Sequence, residues 1–352
     1  MLRVTGGRLV IAVIGVAITA GCATGQSGGS ATPTASGPVQ AIIPVGPRPG
    51  VPVAGEGAVW VPNTGDGTIS RIDPRTNRVV ARIRVGNQLA FYKRDCERNG
   101  SVHSFMGTTF HVRDCDLPSA LGTGDGSLWI AKNDDQAVLR MDPKTERIVA
   151  QIKVGIVPFD MAATDNAVWV TGYGVDQLVR IDPKTNRVVA RFTIPDGAGG
   201  IAASEQAVWL TSTVTGKLTR IDPATNQVVA TIDITCPGPC YQGSLPLPVV
   251  ATRDAVWVRT VGNGQLVRVD PQMNRIMTYL DVMFSPGRSG LDHIAEFNGS
   301  IWLSGDNLQR VDPQANRVSG TIGVPATTVT TGFGSLWITD LWGRVERINP
   351  RS

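Results

Sequence analysis

Short apolar runs of strand length recur along the chain at a period of about 40 residues, and each carries one Trp. The tryptophans are Trp60, Trp129, Trp169, Trp209, Trp257, Trp302 and Trp337. Each run is followed by an alternating segment and then a turn: Asp73-Pro74, Asp142-Pro143, Asp182-Pro183, Asp222-Pro223, Asp270-Pro271, Asp312-Pro313 and Asn349-Pro350. In the first five units the Trp and the turn Asp are 13 residues apart. Self-similarity at this period, built from strands rather than helices, predicts an all-β, seven-bladed β-propeller with one four-stranded sheet per repeat.

The third unit shows the physics of one blade. Ala167-Val168-Trp169-Val170 is apolar on both alternating faces, as suits a central strand packed between neighbouring blades. Gln177-Leu178-Val179-Arg180-Ile181 supplies the next strand and Asp182-Pro183-Lys184-Thr185-Asn186 the turn. In that turn Pro presets φ, the Asp carboxylate accepts bonds from amides just beyond it, and Asn tolerates left-handed φ. Arg187 to Ile194 alternates as an outer strand, and Asp160-Met161-Ala162-Ala163 is the short innermost one.

The two ends of the repeat region complete one another. The last unit stops at Ile348-Asn349-Pro350-Arg351-Ser352, where its outermost strand should begin. Val39 to Gly46 reads like Ile148 to Gly155, and each of those glycines precedes its Trp by 14 residues. The N-terminal strand is therefore expected to close the last blade, which leaves no open sheet edge between first and last blades. Pro44 suits that place, because Pro is tolerated on an edge strand.

The seven repeated Trp residues share one phase of one strand, which assigns them to the core between blades at ~150–250 Å² of buried surface each. Trp342 falls out of register, in the turn after the last Trp strand, and is a candidate contact for a ligand or partner. Composition adds mainly exclusions. The formal charge of +4 over 352 residues is not clustered, and Arg78, Arg187, Arg275 and Arg317 sit where an outer strand is solvated. No basic groove with interleaved aromatics is present, so nucleic acid is not an expected partner.

The first forty residues speak to location. Arg3 and Arg8 precede an apolar stretch of twelve residues, Leu9 to Ala20. Spanning a bilayer takes about 20, so residues 1–21 read as a signal peptide rather than an anchor. Thr19-Ala20-Gly21-Cys22 resembles the lipobox of a bacterial lipoprotein signal, with Thr19 standing where a large aliphatic is usual. The resemblance implies lipidation at Cys22 and anchoring to the outer side of the cell membrane. Residues 22–38, rich in Gly, Ser, Thr and Ala, read as a flexible tether, and residues 39–352 as the propeller.

Four further cysteines, Cys96, Cys115, Cys236 and Cys240, form an even set that reads as disulfides in an exported chain. Three pairings are possible, and sequence proximity favours Cys96 with Cys115 and Cys236 with Cys240. Zinc at Cys236-Pro237-Gly238-Pro239-Cys240 lacks the usual spacing and a neighbouring His.

The loops carry the best functional clue. Against the plain connection of 14 residues, Gly86 to Trp129 carries 29 extra residues, Thr235 to Trp257 carries 8 and Met283 to Trp302 carries 5. The largest insertion, at about 87–118, is the one that Cys96 and Cys115 would close. All three insertions join one blade's outer strand to the next blade's inner strand, so all should emerge on one face, opposite the Asp-Pro turns, and in repeat folds such a face is often the binding face. Nine residues before each Trp come Val51, Ala120, Asp160, Gly200, Pro248, His293 and Thr328, which should ring the central opening. The turns after the Trp strands add Asn133, Asp134, Tyr173, Asp176, Arg259, Asp306 and Asp340. Asp160, His293, Tyr173, Arg259, Asp306, Asp340 and Trp342 are the candidate ligand-binding residues.

The repeated Trp-Val, Arg-Ile-Asp-Pro-Lys-Thr-Asn-Arg-Val-Val-Ala and Ile-x-Val-Gly units resemble those of YVTN-type bacterial propellers and of the streptogramin B lyase (virginiamycin B lyase) group. The lyase resemblance implies a His acid/base and a magnesium ion held mainly by Glu at the pore. His293, followed by Ile294-Ala295, matches that pattern. A second pore His does not, since His103 and His111 fall in the large insertion, and strand alternation places Glu296 on the face opposite His293. A metal site from those two histidines with Asp114 and Asp116 has no helical spacing behind it. No nucleophile elbow, zincin motif, Walker loop or dinucleotide fingerprint is present. The expected function is that of an envelope-anchored, monomeric propeller lipoprotein binding a protein, peptide or glycan through its insertion-bearing face, touching the membrane only by its lipid and needing no cofactor. The alternative is a magnesium-dependent lyase or hydrolase of a small extracellular molecule, with His293 as catalytic candidate.

Overall fold

The computed structural model describes residues 37–86, 101–105, 108–112, 118–133, 135–172, 175–194, 199–212, 215–234, 245–261, 264–283, 293–340 and 342–350. Residues 1–36, expected to hold the signal peptide and most of the tether, lie outside them, as do all five cysteines and Tyr173. Every regular element among the described residues is a strand. Twenty-eight of these strands build seven four-stranded sheets, one per repeat. In blade three the order is Pro158–Ala163, Val168–Gly172, Gln177–Asp182 and Arg187–Thr193, all antiparallel. Each innermost strand touches the innermost strands of both neighbouring blades, and that of blade seven touches that of blade one, so the ring is closed.

Closure uses the N-terminal strand. Val39–Pro44 pairs antiparallel with Arg344–Ile348, with Val39 opposite Ile348 and Pro44 opposite Arg344. Ile43 and Val45 are buried in a cluster with Val59, Val61, Ile72 and Trp337, which joins blade seven to blade one. Pro44 lies on the outermost strand, where its missing N–H leaves no ladder bond unmade. One element was not legible beforehand: Ser101–Phe105 and Thr108–Val112 form a separate two-stranded sheet within the large insertion.

The repeated Trp residues are at most 3 % exposed, the core placement their phase predicts. Each pairs across to an Arg on the third strand, as Trp169 does with Arg180. In six blades that guanidinium lies 5.0 to 5.4 Å from the indole centroid, within cation–π range. The same Arg then reaches the next blade's turn. Arg180 donates to the Pro223 carbonyl at 2.9 Å and to Asn226 Oδ1 at 2.6 Å, and Arg220, Arg268 and Arg347 do the same to Pro271 and Asn274, Pro313 and Asn316, and Pro74 and Asn77. Arg140 likewise bonds Pro183 and Asn186. In the first blade Arg71 instead meets Glu146 at 2.8 Å, since Glu stands at that turn position in blade two.

This latch gives the turn Asn two jobs. Its φ is positive, at 55° for Asn186 and 61° for Asn226, and its side chain accepts the neighbour's Arg. Asn186→Gly is expected to cost about 1 kcal/mol, because only the hydrogen bond is lost. Asn186→Ala is expected to cost about 1 kcal/mol more, since Ala is strained at that φ. Chemical denaturation of both variants checks this; an Ala variant as stable as the Gly variant would contradict it. The turn Asp has a local role. In six turns its Oδ1 accepts the amide two residues on at 2.8 Å, and that backbone bond leads in holding most of these carboxyls below their usual range.

Candidate functional site

The innermost strands surround a channel of about 530 Å³ to which all seven blades contribute. Runs of consecutive residues line it, among them Phe159 to Met161, Pro248 to Ala251 and His293 to Glu296. A strand that lines a cavity with consecutive residues meets it by its edge, not by one face. Alternation therefore does not sort these residues, and Glu296 joins His293 in the lining where the pattern placed it on the far side. Of the seven register positions, Val51, Ala120, Asp160, Gly200, Pro248 and His293 line the channel. Thr328 does not: it is fully buried against the Thr339 hydroxyl at 2.6 Å, and Val329 and Thr330 take its place.

Asp160 and His293 are held by the same device on blades three and six. The pairing of the first two strands of blade three is irregular between Pro158 and Met161, which frees the Asp160 amide to donate to Thr171 Oγ1 at 3.1 Å. Thr171 in turn donates to the Gly199 carbonyl of blade four at 3.1 Å. On blade six the His293 amide donates to Ser304 Oγ at 2.6 Å, and Ser304 reaches the Thr327 carbonyl of blade seven at 3.2 Å. Thr171 and Ser304 were not singled out by motif, yet a hydroxyl recurs two residues after Trp at Thr171, Thr211, Ser304 and Thr339. That recurrence was the available signal.

The Asp160 carboxylate accepts the Met161 amide at 2.8 Å and, across the blade boundary, the Ile201 amide at 3.1 Å. Burial pushes its pKa up to about 6, and those two bonds only partly offset the shift. Burial, with the nearby Arg259 charge, pulls His293 down to about 4, so its imidazole is neutral at pH 7. Glu296 Oε1 accepts the Gly299 amide at 2.8 Å. Among the described residues no three His, Cys, Asp or Glu side chains gather as a metal-holding group.

The remaining candidates separate by exposure. Arg259 is in a strand, Val256–Val261, rather than in the turn where the sequence pattern put it, and is 1 % exposed. Its guanidinium donates to the Ser304 carbonyl at 2.5 Å and the Met283 carbonyl at 3.2 Å, so it ties blade five to its neighbour. Asp340 is also buried, accepting the Trp342 and Arg344 amides and the Arg344 guanidinium at 2.6 Å. Asp306 is exposed, and Trp342 is 82 % exposed. The ends of the outer strands bond to the turns that follow the Trp strands, as Val85 does to Gly67 and Val282 to Gly264. The three long connections therefore leave from the face that carries Asp306 and Trp342, opposite the Asp-Pro turns.

No protein-family model matches the chain, and neither does any curated protein sequence. Solved structures match by fold. U3-55K gives a TM-score of 0.66 at 10 % identity, covering 89 % of this chain and 99 % of its own. Hydrazine synthase of Kuenenia stuttgartiensis gives 0.64 at 13 % identity, with 86 % and 95 % covered. A catalytically inactive variant of virginiamycin B lyase from Staphylococcus aureus, crystallised with quinupristin, gives 0.62 at 16 % identity, with 86 % and 94 % covered. At such identities the likeness establishes that this chain is a seven-bladed β-propeller.

Proposed function

We propose that this protein is an exported, lipid-anchored propeller that binds an envelope protein, peptide or glycan through its insertion-bearing face, with no chemistry of its own. The observation that carries the reading is Trp342, 82 % exposed on the same face as the three long connections. Exposed Trp is costly to leave in water and is enriched at the centres of binding surfaces. The lipid at Cys22 and the pairs Cys96–Cys115 and Cys236–Cys240 belong to this proposal. The hairpin between Cys96 and Cys115 supports the first pair, because its ladder draws the two arms of the insertion together. The Asn349 amide donates to the Pro38 carbonyl at 2.8 Å, so the chain enters blade seven on the Asp-Pro face.

The test places a photo-crosslinking residue at position 342 or at position 184 on the Asp-Pro face of the protein in cells. Adducts at 342 and none at 184 are expected, and they should vanish when Phe91 to Asp116 is replaced by a short Gly-Ser loop, a change of little closure cost. Adducts at 184 alone would reverse the assignment of the faces. Cys22→Ser is expected to move the folded protein from the membrane fraction to the soluble one; unchanged membrane recovery would remove the anchor from the proposal.

A second reading, a magnesium-dependent lyase, is favoured by one observation: His293, Asp160 and Glu296 line one channel. Turnover of quinupristin with magnesium, lost by roughly 10²-fold or more in His293→Ala, would establish it, as expected for removal of a general acid or base. A binder of the first kind keeps its affinity in that variant.

A further inference from the structure

We propose that the central channel is a binding site for a small organic ammonium with an apolar body, its cationic end at Asp160 and its far end at His293. The channel volume of about 530 Å³ lies in the range of small-molecule pockets. Besides these two poles, its lining includes the apolar side chains of Phe159, Met161, Ile201, Val249, Ile294 and Val329, together with Glu296, whose Oε1 accepts the Gly299 amide.

The poles differ in sign. Asp160 has both carboxylate oxygens on backbone amides, and no basic side chain among the described residues pairs with it. A carboxylate in an apolar channel without a cation is unfavourable, and a ligand ammonium supplies the missing counter-charge. Each oxygen keeps a lone pair for that contact beside its amide bond. At the other pole the buried Arg259 guanidinium acts on His293 and disfavours any second positive charge. The His293 imidazole makes no hydrogen bond among the described residues. As a neutral ring it can donate to an acceptor such as a carbonyl. The two poles stand on blades three and six, so they orient a ligand across the channel.

This site goes beyond the insertion-face reading, since replacing Phe91 to Asp116 leaves every residue named here in place. The probe pair is phenylalanine methyl ester, a protonated amine with an apolar ring and an ester carbonyl, and its N-acetyl counterpart, which lacks the charge. Calorimetry with the full chain at neutral pH should find the ammonium probe bound at least about 10-fold more tightly than the acetylated one. In Asp160→Asn that ratio should fall to within about 2-fold, with the fold checked by circular dichroism. Equal affinities on the unchanged protein, no binding of the ammonium probe up to about 10 mM, or a ratio that survives Asp160→Asn would each overturn the proposal. The comparison of probes on the unchanged protein stands even if the variant fails to fold.

Discussion

A protein lacking Val39 to Val45 is expected to lose its cooperative thermal transition at the wild-type temperature and to self-associate. The deletion removes the outermost strand of blade seven, paired along Val39–Pro44 with Arg344–Ile348. It also takes Ile43 and Val45 out of the cluster that packs Trp337 against Val59 and Ile72 of blade one. Each buried aliphatic side chain contributes about 1.5–3 kcal/mol, so the two together approach the lower end of a domain's whole stability. The exposed edge of Arg344–Ile348 would in addition offer unpaired backbone groups to another copy. Melting followed by circular dichroism, with light scattering for mass, reads both effects. An unchanged melting temperature and a monomeric mass would show that the ring does not depend on this strand.

The second large effect is a pair of opposed pH dependences hidden in the wild-type protein. Asp160 has its pKa raised from 3.8 to about 6, so its stabilising contribution is complete below the unfolded value and is lost as pH rises through about 6. His293 has its pKa lowered from 6.5 to about 4, so its contribution is complete above the unfolded value and is lost as pH falls through about 4. Each shift corresponds to about 3 kcal/mol across the same window. The two nearly cancel, and wild-type stability should change little between pH 7 and pH 4 on their account. The turn aspartates, whose carboxyls are held below the usual range, lose part of their stabilising contribution as pH falls toward 4, but equally in the wild type and in both variants below, so the difference between the variants reads Asp160 and His293 alone.

Single substitutions unmask the slopes. Asp160→Asn should lose up to about 3 kcal/mol on acidification from pH 7 to pH 4, as His293 takes up its proton in the unfolded chain first. His293→Gln should gain a similar amount, about 3 kcal/mol, as Asp160 takes up its proton in the folded chain first. Arg259 and Glu296, the other charged groups near these two, are unchanged in both variants. Urea denaturation at several pH values gives the slopes, and parallel curves for the two variants would show that neither group is perturbed as described.

The blade count and the face of the long connections were legible in the chain because each blade is local, and the closure because Val39 to Gly46 repeats the outer-strand pattern of Ile148 to Gly155 although its partner strand lies at the other end of the chain. A Trp strand, its hairpin partner and an Asp-Pro turn sit within about 20 residues of one another. Period-2 alternation and turn chemistry act over that distance. The role of the third-strand Arg was not legible. Arg180 looks like any solvated strand cation until blade four brings Pro223 and Asn226 beside it, 43 and 46 residues away. Arg259 was misplaced for the same reason, since its guanidinium is held by the Ser304 carbonyl of the neighbouring blade and by the Met283 carbonyl at the end of its own blade's outer strand.

The sequence by itself determined the repeating unit, its number and the strand that closes the ring, since hydrophobic period and turn residues specify each blade separately. Only the tertiary structure decided what lies between blades: the Arg latch, the hydroxyl bridges of Thr171 and Ser304, and the channel that Asp160, His293 and Glu296 line. The physical reason is that alternation reports which face of a strand is apolar, whereas a channel bordered by strand edges collects consecutive residues of both parities. That arrangement exists only once seven sheets have closed around an axis.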